Sequence, residues 1–227
     1  MEGWALGTSM TARTAGPDAP ASATQSAGAG SSPTPRGPRE TRINVFQWAE
    51  IDDDLRLELV GGRLERMPDV PLWHDILLFR LIASIGPFLQ ANDLGEFAVA
   101  TAKLKLSKIR GRKPDAFFIP KAMYGLVGRN LFHGPPPLVV EVVSPGKANE
   151  DRDRRVKRRE YAKFGIAEYW LVDFPNRRIE VLRLQDGRYV EAETVTGDAV
   201  WRPAMFPGLE IPVARLWPTD FENPQLD

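Results

Sequence analysis

Two short apolar runs, LVVEVV (residues 138–143) and AEYWLVD (residues 167–173), flank the charged segment NEDRDRRVKRREYAKFG (residues 149–165). A run of aliphatic and β-branched residues preceded by prolines spells a strand buried on both faces. The charged segment spells a helix that stops at Gly165, a residue suited to the left-handed position after a helix end. A strand-helix-strand unit forces a crossover connection and at least one parallel strand pair. This unit sets the class as α/β. It also carries an anomaly, because Glu141 interrupts the first run. An ionised carboxylate buried there costs roughly several kcal/mol unless a cation, a metal or a set of hydrogen bonds compensates it.

The rest of the chain supplies antiparallel additions. TRINVFQWAEIDDD reads as a short helix capped by Thr41, and LRLELVGGRLERM as a hairpin in which Leu55, Leu57 and Leu59 alternate before a Gly61-Gly62 turn. Trp73 to Gln90 has the apolar spacing of a mostly buried helix. Strands are expected over Glu96–Leu106 and Pro114–Ile119, a second hairpin turning at Asp186-Gly187, and a last short strand in MFPGLEIPVARLW. Residues 1–40 are an Ala/Ser/Thr/Gly/Pro segment with too few large apolar residues to fold, and are expected to be a disordered tail. A single domain over residues 41–218 and a tail over 219–227 complete the expected organisation.

Composition narrows the chemistry. The chain has 227 residues, zero formal net charge, no cysteine and only two histidines, His74 and His133. Disulfides and thiolate metal sites are excluded, and a reducing cytoplasm is the expected compartment. Charge and the Gly86-Pro87 pair break the best apolar run, Ile76 to Leu89, so no membrane span is expected. There is no G-x-S-x-G elbow, Walker loop or dinucleotide fingerprint.

Two acids stand in neighbouring apolar strands: Asp115 opens PDAFFI and Glu141 interrupts LVVEVV. If the strands pair, their carboxylates converge at one end of the sheet, an arrangement that Mg²⁺ uses when it keeps waters and binds a phosphate. On the following helix Asp153, Lys157 and Tyr161 recur at intervals of four residues, one stripe that brings Lys157 towards the acids. Two basic clusters flank them. One includes Lys103, Lys105, Arg112 and Lys113, the other Arg154 and Arg155, and together they form an expected footprint for a phosphate backbone.

Taken in order, LELVGGRLERM, His74, PDAFFI, PLVVEVVSP, DRRVKRREYAKFGIAEYWLVD and FPGL resemble the Uma family of restriction-endonuclease-like proteins in the PD-(D/E)XK nuclease superfamily. The resemblance covers residues 43 to 217. It implies a restriction-endonuclease-like mixed sheet flanked by helices, with N-terminal and C-terminal β-hairpins, and a metal-dependent endonuclease acting on DNA. Asp115 and Glu141 match the metal-binding acids, with Mg²⁺ as the cofactor and Mn²⁺ as a substitute. Val143 stands where the superfamily pattern has lysine, and in the Uma-like arrangement the next helix supplies it, which points to Lys157. Glu58 matches an upstream acid, a further metal or water ligand. Cutting both strands of a duplex takes two active sites, so a homodimer is expected.

Each residue also has a plainer reading. Glu141 could pair with a buried cation. Asp153 and Lys157 make an ordinary i,i+4 bridge, Glu58 fits a solvated strand position, and the basic runs fit solvated faces. His74 near a helix start reads as a capping or hydrogen-bonding residue. The alternative function is a catalytically silent nuclease fold that binds nucleic acid or a partner protein.

Overall fold

The strand that carries Glu141 lies inside a six-stranded sheet with apolar layers on both faces. The computed structural model describes residues 41–52, 56–99 and 101–218, all of them in one unit, Glu40–Asp227. The two expected tails and Leu55 of the first hairpin lie outside the described residues.

Helix α1 (Val45–Ala49) begins after Asn44, whose side chain accepts from the Phe46 and Gln47 N–H groups while Gln47 returns a bond to the Asn44 N–H. The cap is therefore Asn44 and not Thr41, because only Asn44 completes the reciprocal capping box. Strands β1 (Leu57–Val60) and β2 (Arg63–Arg66) form the expected hairpin. Gly61 and Gly62 take φ of 60° and 83°, which a two-residue hairpin turn of this hand requires. Helix α2 (Leu72–Ala91) keeps Pro87 inside it.

Strands β3 (Gly95–Val99), β4 (Leu104–Ser107), β5 (Arg110–Arg112) and β6 (Ala116–Pro120) follow. The expected strand over Glu96–Leu106 is thus two strands in different sheets. From Ala100 to Leu106 apolar and polar residues alternate with no turn residue between them, so the pattern gives no sign of the change of sheet. Strand β7 (Leu138–Val142) leads into helix α3 (Lys147–Asp151), a π-helical turn (Arg152–Lys157) and helix α4 (Arg158–Phe164), joined without a break. Gly165 ends the run at φ 88°. Strands β8 (Glu168–Asp173), β9 (Arg178–Gln185), β10 (Arg188–Thr196), β11 (Val200–Trp201) and β12 (Ile211–Pro212) complete the chain.

The six-stranded order is β10-β9-β8-β7-β6-β3, with β7 and β8 parallel and the other pairs antiparallel. Leu138, Val140 and Val142 point to the layer formed by α2 and the C-terminal segment. Val139 and Val143 point to the layer of Tyr161, Ala162 and Ile166. By the two-residue period of a strand, Glu141 faces that second layer, under α4. A second sheet, β2-β1-β5-β4, packs against α1 through Trp48 and Leu59.

Helix α2 is long and apolar enough, with a mean hydropathy of 1.4, to cross a membrane by length and composition, contrary to the expectation from its Gly-Pro pair. Pro87 is accommodated within the helix, and Trp73, Leu77, Leu81, Ile85 and Leu89 bury one face of it in the sheet layer.

Gly111 on β5 lies opposite Leu59 beneath the Trp48 ring, and a Cβ there would overlap the indole. Gly111→Ala is expected to cost about 1–3 kcal/mol through overpacking, read as a lower urea midpoint with an unchanged slope.

Candidate active site

Strands β6 and β7 pair with Ala116 opposite Val140, so Asp115, one residue before β6, comes level with Glu141 at the same end of the sheet. Hydrogen bonds to Asp115 converge on Oδ2, from the Val142 N–H at 2.7 Å and from His74 Nε2 at 3.1 Å. Oδ1 receives none among the described residues. His74 comes from α2, and its Nδ1 lies 3.2 Å from Asp75 Oδ1. Flanked by two carboxylates, His74 holds its proton more tightly than a free imidazole: burial works against the charge, and the bonds to Asp115 and Asp75 outweigh it. Burial likewise works to raise the Asp115 pKa. His74, Lys157 and the Val142 N–H overcome it, leaving the carboxyl below its ordinary value.

Glu141 is 1 % exposed. Lys157 Nζ donates to its Oε2 at 2.7 Å and the Tyr161 hydroxyl to its Oε1 at 2.6 Å. Lys157 also lies 3.1 Å from Asp153 Oδ1, within ion-pair range although not aligned as a hydrogen bond. The expected stripe is therefore real: Asp153 and Lys157 sit in the π-helical turn and Tyr161 in α4, all three turned inward. Burial pushes the Glu141 carboxyl up, Lys157 pulls it back, and the charges of Asp115 and Asp153 push it up again, to about 8. Lys157 is raised, since burial is outweighed by Glu141, Asp153, Glu58 and Asp115.

A second layer braces this cluster. Glu58 is buried, accepting from Arg112 Nη1 at 2.5 Å and from the Lys113 N–H at 3.1 Å. Arg112 reaches on to Glu160 of α4 at 2.8 Å, and Arg110 also pairs with Glu160. One guanidinium thus ties the hairpin strand β1 to the helix that carries Lys157. Glu58 keeps a lowered pKa, with burial opposed by the charges of Lys157 and Arg112. It is not a solvated strand residue: it is buried, with Arg112 and the Lys113 N–H engaging its two oxygens. Among the described residues no three acidic or histidine side chains are placed to hold one ion.

The expected phosphate footprint is largely internal. Lys103 is buried and donates to the Ala49 and Ile51 carbonyls at 2.9 and 2.8 Å, holding the end of α1. Arg112 and Lys113 are buried as well. Arg154 is tied to Glu180 and Asp173, and exposed Arg155 to Asp151. Lys105 lies over the Phe46 ring, 4.9 Å from its centroid. The sequence shows charge density, but pairing across sheets decides which charges face water.

Two cavities adjoin the cluster. One of about 200 Å³ opens onto Asp115 and His74, with Arg56, Lys113 and Thr101 in its wall. The other, of about 600 Å³, lies beside it and also includes Thr101. Of Asp115, Glu141 and Lys157, only Asp115 lines either of them.

His74, Asp153 and Tyr161 are polar contributors that motif reasoning leaves without a role at the site, and Arg112, expected to face a phosphate backbone, instead braces Glu58. The chain separations explain this: His74 and Asp115 are 41 residues apart, and Arg112 and Glu58 are 54 apart. The usable signal is a buried polar residue in an apolar element, which His74 shows on α2 as Glu141 does on β7.

A mixed sheet with two acids at one end and a lysine set against them from the next helix is a restriction-endonuclease-like fold. The chain belongs to the Uma2 family, described as "Putative restriction endonuclease", which matches residues 44–214. It is also similar to the crystal structure of a "putative nuclease belonging to DUF820" from Anabaena variabilis ATCC 29413. That likeness has a TM-score of 0.62 and 15 % identity over 77 % of this chain and 97 % of that one, and it shows the shared fold. No curated protein matches the sequence.

Proposed function

We propose that the chain is a divalent-metal-dependent endonuclease that hydrolyses phosphodiester bonds in DNA. The observation that carries this reading is the Lys157 ammonium fixed against Glu141, whose neighbouring acid, Asp115, meets a cavity.

The donor set fits a hard cation. Glu141 and Asp153 pair with a single ammonium, and burial, with the charges of Asp115 and Asp153 added to it, pushes the Glu141 carboxyl up to about 8 against the pull of Lys157. Asp115 Oδ1, which has no hydrogen bond among the described residues, is the first oxygen a cation would meet. Mg²⁺ binds through one or two carboxylates and keeps its remaining waters, so Asp115 and Glu141 suffice, with Mn²⁺ as a substitute. When bound, the ion polarises a phosphoryl oxygen and makes a bound water more acidic. Lys157, held charged by its acids, orients a water and stabilises charge that develops on the phosphate. Tyr161 fixes the Glu141 rotamer, and His74 with the Val142 N–H fixes that of Asp115. Glu58 and Arg112 hold the helix over both.

Purified protein incubated with plasmid DNA is expected to cleave it with Mg²⁺ or Mn²⁺ and not with EDTA. Glu141→Ala and Lys157→Ala are each expected to abolish cleavage. Cleavage that survives both substitutions would falsify the assignment. One observation favours the silent alternative: both Glu141 oxygens already accept hydrogen bonds. Calorimetry with Mn²⁺ separates the two, since a silent DNA-binding fold gives no binding heat while retaining DNA affinity.

A further inference from the structure

We infer that the 600 Å³ cleft beside the acids receives an unpaired DNA strand, so that the substrate is single-stranded or splayed DNA in preference to intact duplex. The inference rests on the nuclease reading above and specifies its substrate. The cleft shares Thr101 with the smaller cavity at Asp115, so a strand whose phosphate lies at the acids continues directly into it. Phe117, Ile119 and Phe132 back its wall but are themselves buried, and Arg129 and Asn130 are its exposed polar residues. A base within a duplex offers only its edges, and must leave the stack before its face can lie on an exposed ring.

The rim has the matching chemistry. Phe46 is 51 % exposed and stacks with the exposed His133, with centroids 6.2 Å apart and planes 29° apart. Lys105 sits over the opposite partner, Phe46, at 4.9 Å. This aromatic-cation group abuts the cleft, because His133 Nε2 lies where a Cβ on the cleft residue Gly128 would come within 2.6 Å of it. Exposed aromatic faces beside cations are how proteins hold single strands without reading their sequence. The acids Glu50 and Asp52 line the same cleft and repel phosphate. Arg129 is the exposed cation of the same cleft and the partner for a phosphate there. One site then completes one cut, with no second copy required.

The test is fluorescence anisotropy of the full chain in EDTA with a labelled single-stranded oligonucleotide and with its blunt duplex. Omitting metal makes the readout independent of cleavage. The single strand is expected to bind about tenfold tighter or more, and Phe46→Ala and Arg129→Gln each to weaken it by about tenfold. Both side chains are exposed, and unchanged thermal midpoints establish that the variants are folded. Equal affinity for the two DNAs, or variants within about twofold of the parent chain, would overturn the inference and leave the nuclease reading standing. Absence of binding to either DNA would also overturn the inference, while the nuclease reading is decided separately by metal-dependent cleavage.

Discussion

Lys157→Met is expected to reduce metal-dependent DNA cleavage by about 10²–10³-fold and to destabilise the fold by about 3–5 kcal/mol. Lys157 is 2 % exposed and bonds Glu141 while lying 3.1 Å from Asp153. Removing it strands two buried carboxylates, a far larger penalty than loss of a surface ion pair. Glu141 recovers part of the loss by taking up a proton, so the destabilisation is expected to grow with pH. The double variant Glu141→Gln/Lys157→Met removes the most buried charge together with its partner. It is expected to regain much of the stability measured by urea unfolding and none of the activity. Parent-level cleavage by Lys157→Met would remove this lysine from the mechanism.

The second large effect is a stability that falls with rising pH when metal is absent. The Glu141 carboxyl is raised from 4.5 to about 8 by burial and by Asp115 and Asp153, against the pull of Lys157. The folded chain therefore holds a proton that the unfolded chain releases. This contribution is fully present below about pH 4.5 and is lost as the pH rises through about 8. The decline approaches about 1.4 kcal/mol per pH unit within that window and totals a few kcal/mol, on the order of 3–5. His74, also raised, adds a decline of the same sign above its ordinary value of 6.5. Asp115 and Glu58 are lowered, so their contributions are present above the ordinary carboxyl range and are lost in acid. Urea titrations in EDTA across the window measure the slope, and Glu141→Gln is expected to flatten most of it. Mn²⁺, which binds the ionised acids, is expected to stabilise the chain more near pH 8 than near pH 5. A pH-independent metal effect would count against Glu141 as a ligand.

Much of this architecture is legible in the residues. The β7-α3-α4-β8 unit follows from proline-bounded apolar runs around a charged helix, and the parallel pair is where that unit requires it. Both glycine-containing hairpin turns occur as their dipeptides demand, with Asp186 and Gly187 at φ 49° and 75°. The juxtaposition of Asp115, Glu141 and Lys157 follows from strand pairing and helical period. What the residues conceal is long-range charge pairing. Nothing local distinguishes Arg112, buried between Glu58 and Glu160, from Arg155, which stands in solvent. A basic run has the same composition whether its charges meet water or acids from another sheet. Strand β5, only three residues long, supplies the missing contact, and a run that short leaves no periodic signature.

The π-helical turn at Arg152–Lys157 bears on how this site can be lost. Such a turn closes its hydrogen bonds one residue later than an α-turn, and so amounts to a single-residue insertion in an otherwise regular helix. Dropping one residue between Asp153 and Lys157 would return the backbone to the commoner geometry. It would also rotate Lys157 relative to Asp153 and to the preceding helix, and draw the ammonium away from its acids. Because Glu141 and Asp153 are buried, the deletion is expected to leave their charge uncompensated and to lose stability and cleavage together, so the irregular turn is part of what holds the site.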